Sequence, residues 1–383
     1  MAKILIDARL YGLENAGLGR YTLNLIQELV KIDQNNNYVV LLRKKYFDSL
    51  IFPENWKKVL TNFKHYSFSE QIKLKKIIES EAPDLVHFPH FNVPIFYKGK
   101  YIVTIHDLLM HRQSGLSATT LIPPLYFLKR IAYKTIFRKA VTGASKIIVP
   151  SNAVRKEVED YYKLNTKKTE TIYEGVDEKI EGKENPEKVL EKYKINEKYF
   201  LYVGNAYPHK NLKRAIEAII LLNKESDQKV ILAIASSRNI FTQRLQKLIK
   251  KLGGGEFVKL LGFVPDSDLG ILYKNSVAFV FPSLSEGFGL PGLEAMSLDC
   301  PVLASDIPVF REIYKDNVIY FNPYDFSAME TAMKNIIKMD NEERNARKQK
   351  AKEFAKIYSW SKMAKETLAI YEQESSNSLR SGK

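Results

Sequence analysis

One pattern constrains this chain more than any other: short runs of β-branched and aromatic residues alternate with longer stretches of helical period, and the scheme is built twice. The first half holds the runs Lys3–Asp7, Tyr38–Leu42, Leu85–Phe88, Tyr101–Ile105 and Lys146–Val149. The second half holds Tyr199–Val203, Val230–Ala235, Val258–Leu261, Ala278–Phe281 and Pro301–Ala304. Strand, helix and strand in succession read as parallel sheets, because parallel neighbours need a long crossover that a helix supplies. At 383 residues the chain also exceeds what one hydrophobic core organises. The expectation is therefore α/β, with two doubly wound domains, and ligands are to be sought in the loops that follow the strands.

The segment Asp177–Lys198 is crowded with Lys and Glu of cancelling charge and holds one Pro, as expected of a solvated connector leading into a short helix. It sets the predicted boundaries at 1–178 and 179–357. After Ser327 two helical segments are expected up to about Gln373, followed by a polar, Ser-rich, disordered tail over Glu374–Lys383. The N-terminal Met-Ala-Lys-Ile-Leu-Ile-Asp lacks the apolar core and cleavage site of a signal peptide. No window approaches the roughly 20 apolar residues of a spanning helix. The lone Cys300, in an apolar stretch, reads as a buried small hydrophobe that cannot form an internal disulfide. The expected compartment is the cytoplasm.

Charge is uneven. Residues 1–180 carry 28 Lys/Arg against 18 Asp/Glu, and from Leu108 to Lys156 there are nine Lys/Arg and no acid. Such a run points to an anionic partner, whether membrane, nucleic acid or acidic substrate, or else to a solvated surface. Within it, over Ile122–Lys146, Leu125, Leu128, Ala132 and Ile136 keep helical spacing, while Arg130, Lys134 and Arg138 form an i, i+4 stripe. Tyr126, Phe127, Tyr133 and Phe137 lie nearby. The reading is a basic amphipathic helix that could lie on an anionic bilayer facing the acceptor side. Its alternative is a core-packed helix with a charged outer face.

The most informative segment is Phe281-Pro-Ser-Leu-Ser-Glu-Gly-Phe-Gly-Leu-Pro-Gly-Leu-Glu-Ala-Met296, which joins an apolar strand to a helix. Gly287 and Gly289 let backbone approach a ligand, and the free N–H groups of a helix start favour anions, so a diphosphate suits the loop. Glu286 and Glu294 would repel phosphate but accept hydrogen bonds from the hydroxyls of a sugar ring and a ribose. The competing reading of Glu294 is an acid that merely favours the helix dipole.

Glu286-x7-Glu294 with its embedded Gly-Phe-Gly-Leu-Pro resembles the signature of the GT4 family of retaining glycosyltransferases. In the family's order, so do Asn15-Ala-Gly-Leu-Gly-Arg-Tyr-Thr22, Ile105-His-Asp-Leu108, Tyr173-Glu-Gly-Val-Asp177, Tyr202-Val-Gly-Asn-Ala-Tyr-Pro-His-Lys-Asn-Leu212 and Leu261-Gly-Phe-Val-Pro-Asp-Ser-Asp-Leu269. The resemblance implies a GT-B fold, with two Rossmann-like domains facing a central cleft. The first would be the acceptor side, the second would bind the nucleotide sugar, and a C-terminal helix at about 358–373 would cross back onto the first. It implies hexose transfer without a metal, with retention, from a nucleotide-diphosphate sugar to a saccharide or polyprenyl-linked saccharide. GDP-mannose is the favoured donor, a UDP-sugar the other choice, and surface polysaccharide assembly the setting.

Residue by residue, the resemblance gives catalytic roles to Glu286, on sugar hydroxyls, His106, on the transferred sugar, and Lys210, on the diphosphate. Gly17, Gly19, Arg20, Gly204 and Asn205 would bind the donor. So would Phe263 and Val264 of the nucleotide-base loop, the cradle Gly287, Phe288, Gly289 and Leu290, and the ribose-binding Glu294. Asn205 departs from the family's Arg, which leaves diphosphate stabilisation to Lys210, Arg20, Gly17 and Gly19, or to His209. Asp266-Ser-Asp268 has a metal-site spelling but falls in the base loop. Without the resemblance, Lys210 reads as a solvated lysine and His106 as a strand-end histidine. Competing functions are a nucleotide-sugar hydrolase or epimerase, a non-catalytic scaffold, and a basic nucleic-acid-binding module, although no reading motif is present for the last.

Overall fold

The computed structural model describes residues 1–63, 65–112, 123–176, 185–225, 228–237 and 239–381. It divides into two compact units, Met1–Gly175 with Ser359–Lys383, and Val176–Tyr358. The junction expected at 178/179 lies outside the described residues.

The first unit is a seven-stranded parallel sheet of β1 (Lys3–Asp7), β2 (Asn37–Leu42), β3 (Trp56–Leu60), β4 (Leu85–Phe88), β5 (Tyr101–Thr104), β6 (Lys146–Val149) and β7 (Thr169–Thr171), ordered β3-β2-β1-β4-β5-β6-β7. The second holds β8 (Lys198–Val203), β9 (Val230–Ala235), β10 (Val258–Gly262), β11 (Ala278–Phe281), β12 (Val302–Ser305) and β13 (Ile319–Phe321), ordered β10-β9-β8-β11-β12-β13. Both are doubly wound, with the direction of winding reversing beside β1 and β4 and beside β8 and β11. The central strands are buried on both faces, which is why they read as unbroken apolar runs.

Helices cover the sheets. Leu212–Lys224 lays Ala215, Ile216, Ile219 and Leu222 on the second sheet beside Met329, Met333 and Ile336 of the helix Phe326–Lys338. The C-terminal region holds three helices rather than two: Phe326–Lys338, Asn341–Ala355 and Trp360–Ser381. The disordered tail expected from Glu374 instead begins as helix, because Glu374 is buried and pairs with Lys100. This last helix packs on Ala16–Ile32 in the first unit, where the Tyr371 hydroxyl meets Nδ1 of His87 at 2.6 Å.

The helix Pro123–Gly143 forms and packs through its aromatic residues. Tyr133, Phe137, Ala140 and Val141 are buried, while Leu125 and Leu128 are exposed. Aromatic packing decides the face: Phe137 stacks on Tyr162 at 5.9 Å, and Phe91 meets both Tyr133 and Phe137. Burying one such ring contributes about 1.5–3 kcal/mol. Phe127 and Ile131 then join Leu125 and Leu128 outside, beside exposed Lys134 and Arg138. Arg130 is half-buried and donates to the Tyr126 hydroxyl at 3.0 Å. Among the described residues no helix is long and apolar enough to cross a membrane.

Candidate active site

In the second unit, the loops after β8 and β11 meet where the winding reverses. Leu284 N–H donates to the carbonyl of His209, and the Asn211 side chain donates to the carbonyl of Pro282. This stitching brings Lys210 and Glu286 together, with Nζ 2.6 Å from Oε1 and both side chains largely buried. A lysine and a carboxylate so paired form a switchable contact: an arriving phosphate competes for the ammonium, and hydroxyls compete for the carboxylate. His209 supplies no charge, because burial and the neighbouring Lys210 push its pKa down to about 4. It is therefore neutral near pH 7, which removes it as a cation for the diphosphate.

The glycine-rich segment ends at Gly289, whose φ of 106° caps the helix Leu290–Ser297. A Cβ there would lie 2.3 Å from the Tyr314 hydroxyl, and one at Gly292 would lie 2.4 Å from the same atom. Tyr314 is thus the plug beneath the loop, and its hydroxyl donates to the Gly289 carbonyl. Only glycine fits both the dihedral and the space. Phe288 is buried edge-on to Tyr358, and Glu294 is buried in the helix. Gly204 and Asn205 follow β8, with the Asn205 carbonyl accepting from Tyr202. Phe263 stands open just past β10 while Val264 is buried. Asp268 is committed to Lys192 and Tyr193, each at 2.7 Å, and among the described residues no group of three or more His, Cys, Asp or Glu could hold a metal ion. Cys300 is buried, its thiol pushed up to about 12 by burial.

In the first unit the segment Asn15–Thr22, whose resemblance is to a glycine-rich loop, is helix from Ala16 onward. Gly17, Gly19 and Arg20 lie in the first turns of Ala16–Ile32, and a Cβ on Gly19 would overlap the carbonyl of Gly12. Tyr21 of this helix meets His106 edge-on at 4.8 Å. His106 follows β5, with Nδ1 3.1 Å from Glu174 and Nε2 3.0 Å from the carbonyl of Pro89. Nearby, a fully buried Arg9 is held by Asp7 and Glu70. Charges buried this deeply persist only when paired. Sequence reasoning missed Glu174, Arg9, Glu70 and Tyr314. Glu174 lies inside a motif already singled out, which was the available signal.

The model of the glycosyl transferases group 1 matches residues 184–354, and that of Glycosyltransferase Family 4 matches residues 16–179. The chain is 30% identical over 275 residues to the O-antigen chain mannosyltransferase RfbU of Salmonella typhimurium, covering 71% of this chain and 70% of that one. This protein belongs to the GT-B glycosyltransferases of these families. Among solved structures, sucrose-phosphate synthase from Thermosynechococcus elongatus superposes with a TM-score of 0.76 at 16% identity, covering 97% and 99% of the two chains. Anabaena HepE in complex with UDP and glucose gives 0.71 at 17% identity, covering 97% and 100%. The likeness in fold thus spans nearly the whole glycosyltransferase.

Proposed function

We propose that this glycosyltransferase moves mannose, with retention and without a metal, from GDP-mannose to a saccharide or polyprenyl-linked saccharide during surface polysaccharide assembly. The observation that carries it is the contact of Lys210 with Glu286 beside the Gly289 loop, a cation, a carboxylate and a helix start at one strand-end crossing. The name of the mannosyltransferase relative supports the sugar, and a neighbour bound to UDP and glucose keeps a UDP-sugar as the second choice.

In this reading Lys210 leaves Glu286 for the departing diphosphate, whose charge grows as the sugar leaves, so its contribution is larger in the transition state than in the ground state. The amides of Gly287, Phe288, Gly289 and Leu290 complete the anion cradle. Freed, Glu286 takes sugar hydroxyls, Glu294 takes the ribose, and Gly204 with Asn205 lines the phosphate path. Phe263 offers its open ring to the base beside Val264. From the first unit, Gly17, Gly19 and Arg20 serve the diphosphate and His106 the sugar. The departing phosphate accepts the acceptor's proton, so no protein nucleophile is required.

The test is NMR of the first product formed from GDP-mannose in EDTA. An α-linked product from the α-configured donor supports the reading. A β-linked product, sugar release without acceptor, or transfer only after a divalent ion is restored contradicts it.

The exposed Leu125, Phe127, Leu128 and Ile131, flanked by Lys134 and Arg138, form the face we assign to the cytoplasmic side of an anionic membrane. Each basic residue near such a surface contributes about 1 kcal/mol. Reversing two charges in Lys134→Glu/Arg138→Glu is expected to weaken co-sedimentation with anionic vesicles by at least about tenfold. Equal binding of the wild type to neutral and anionic vesicles would sink this assignment.

A further inference from the structure

Both ring nitrogens of His106 meet acceptors. A backbone carbonyl can only accept, so Nε2, at 3.0 Å from Pro89, carries a proton. An ionised carboxylate likewise only accepts, so Nδ1, at 3.1 Å from Glu174, carries another. The geometry writes the ring as an imidazolium.

The surroundings agree with that state. Burial works against the charge, but the hydrogen bond and charge of Glu174, the Pro89 carbonyl and Asp107 outweigh it, leaving His106 above its ordinary 6.5. From β4 and the segment just after it, His87 and His90 also face it, but burial and the charge on His106 push both down to about 3, so they stay neutral. Tyr21, from the helix Ala16–Ile32, presents only a ring edge. Glu174 is itself held in place: it is buried, and a Cβ on the next residue, Gly175, would lie 2.1 Å from the backbone nitrogen of Trp360. The segment after β7 is therefore clamped against the start of the C-terminal helix.

We propose that Glu174 is a positioning residue that keeps His106 doubly protonated, so that the Nε2–H passes from the Pro89 carbonyl to an oxygen of the bound sugar while the ring keeps its charge. This rests on the reading of His106 as a site residue. The bond given up is to an uncharged carbonyl, whose place a sugar oxygen takes, whereas the ion pair at Nδ1 stays. In this state the ring has no lone pair to offer, so it donates and does not act as a base.

The sign follows from the raised pKa. The charged ring, and the stability it confers, are fully present below the ordinary value of 6.5 and are lost as pH rises through the higher folded value. The experiment uses the full chain with ¹⁵N-labelled histidines, long-range ¹H–¹⁵N spectra over pH, and His106→Gln to assign the ring. It is paired with pH profiles of kcat/KM for the donor.

Wild type should show imidazolium shifts for His106 above pH 6.5. Glu174→Gln should titrate at least about one pH unit lower, moving the alkaline limb of kcat/KM with it and costing about tenfold on that limb. Glu174→Asp should restore part of the shift. A neutral ring in wild type overturns the proposal, as does an equal loss of rate in Glu174→Gln at every pH, which marks a merely structural pair. A wild type that shows the imidazolium yet transfers no sugar from any nucleotide donor overturns the transferase reading, and with it the role of the pair.

Discussion

Lys210→Ala is expected to lower kcat by about 10²–10³-fold, the usual loss when one preorganised donor is removed from a site of developing negative charge. The loss should fall mainly on kcat, because the lysine begins bonded to Glu286 and is released to the phosphate as charge develops there. Lys210→Arg keeps the charge but brings a planar fork where a point charge sat, so partial activity is expected. Glu286→Ala should be comparably inactive, since it removes the acceptor for sugar hydroxyls and leaves an unpaired lysine. The double variant should be no worse than the weaker single, as for two groups that act as a unit. Both side chains are largely buried, so each single variant, which leaves its partner's charge unpaired, should also lose about 1–3 kcal/mol of stability, and the double variant less than the two losses combined. Steady-state kinetics on the four proteins, with thermal unfolding as control, checks this. Additive losses in the double variant would mean that the two residues work separately.

Gly289→Ala is expected to do more damage to the fold than any single change in the catalytic pair. A non-glycine residue at φ 106° is strained by about 1–3 kcal/mol. The added methyl must also displace the buried Tyr314 hydroxyl from 2.3 Å, at a further cost of about 1–3 kcal/mol. Urea unfolding should therefore show about 2–6 kcal/mol lost, with donor binding abolished because the cradle cannot keep its shape. In a Tyr314→Phe background the 2.3 Å contact is removed, but Phe310 Cε1 at 2.9 Å and the dihedral remain, so the loss should shrink without vanishing. Full recovery in that background would place the whole effect in the Tyr314 contact, and no recovery would place it in the backbone and the Phe310 contact.

These two predictions depend on contacts that no local pattern discloses. Lys210 and Glu286 each stood out in the sequence, but their meeting across 76 residues follows from strand order, which puts β8 beside β11. Glu174 and His106 are 68 residues apart and meet for the same kind of reason. Strands were legible where burial on both faces leaves an unbroken apolar run, as in Val230–Ala235. The unexpected strands are all at sheet edges: β3, reading Trp-Lys-Lys-Val-Leu, β7, reading Thr-Glu-Thr, and the three-residue β13. An edge strand has one ladder and is kept charged or very short to avoid pairing with other chains: β3 and β7 carry charge and so resemble loops, while the uncharged β13 is too short to read as a strand. In Pro123–Gly143 the spacing left open which side packs on the sheet, because Tyr133 and Phe137, whose buried area settles the packing, lie off the aliphatic stripe.

The most direct measurement is the thermal stability of the full chain with GDP, UDP and ADP and their sugar conjugates, in EDTA, repeated on Glu294→Ala. A ligand at about 100 times its Kd stabilises by about 2.7 kcal/mol, well within reach of such a scan. The predicted result is selective stabilisation by one nucleoside diphosphate series, GDP expected, that survives EDTA and disappears in Glu294→Ala. Stabilisation by no nucleotide, or stabilisation unchanged in the variant, would contradict the placement of the donor on the Gly287–Glu294 segment.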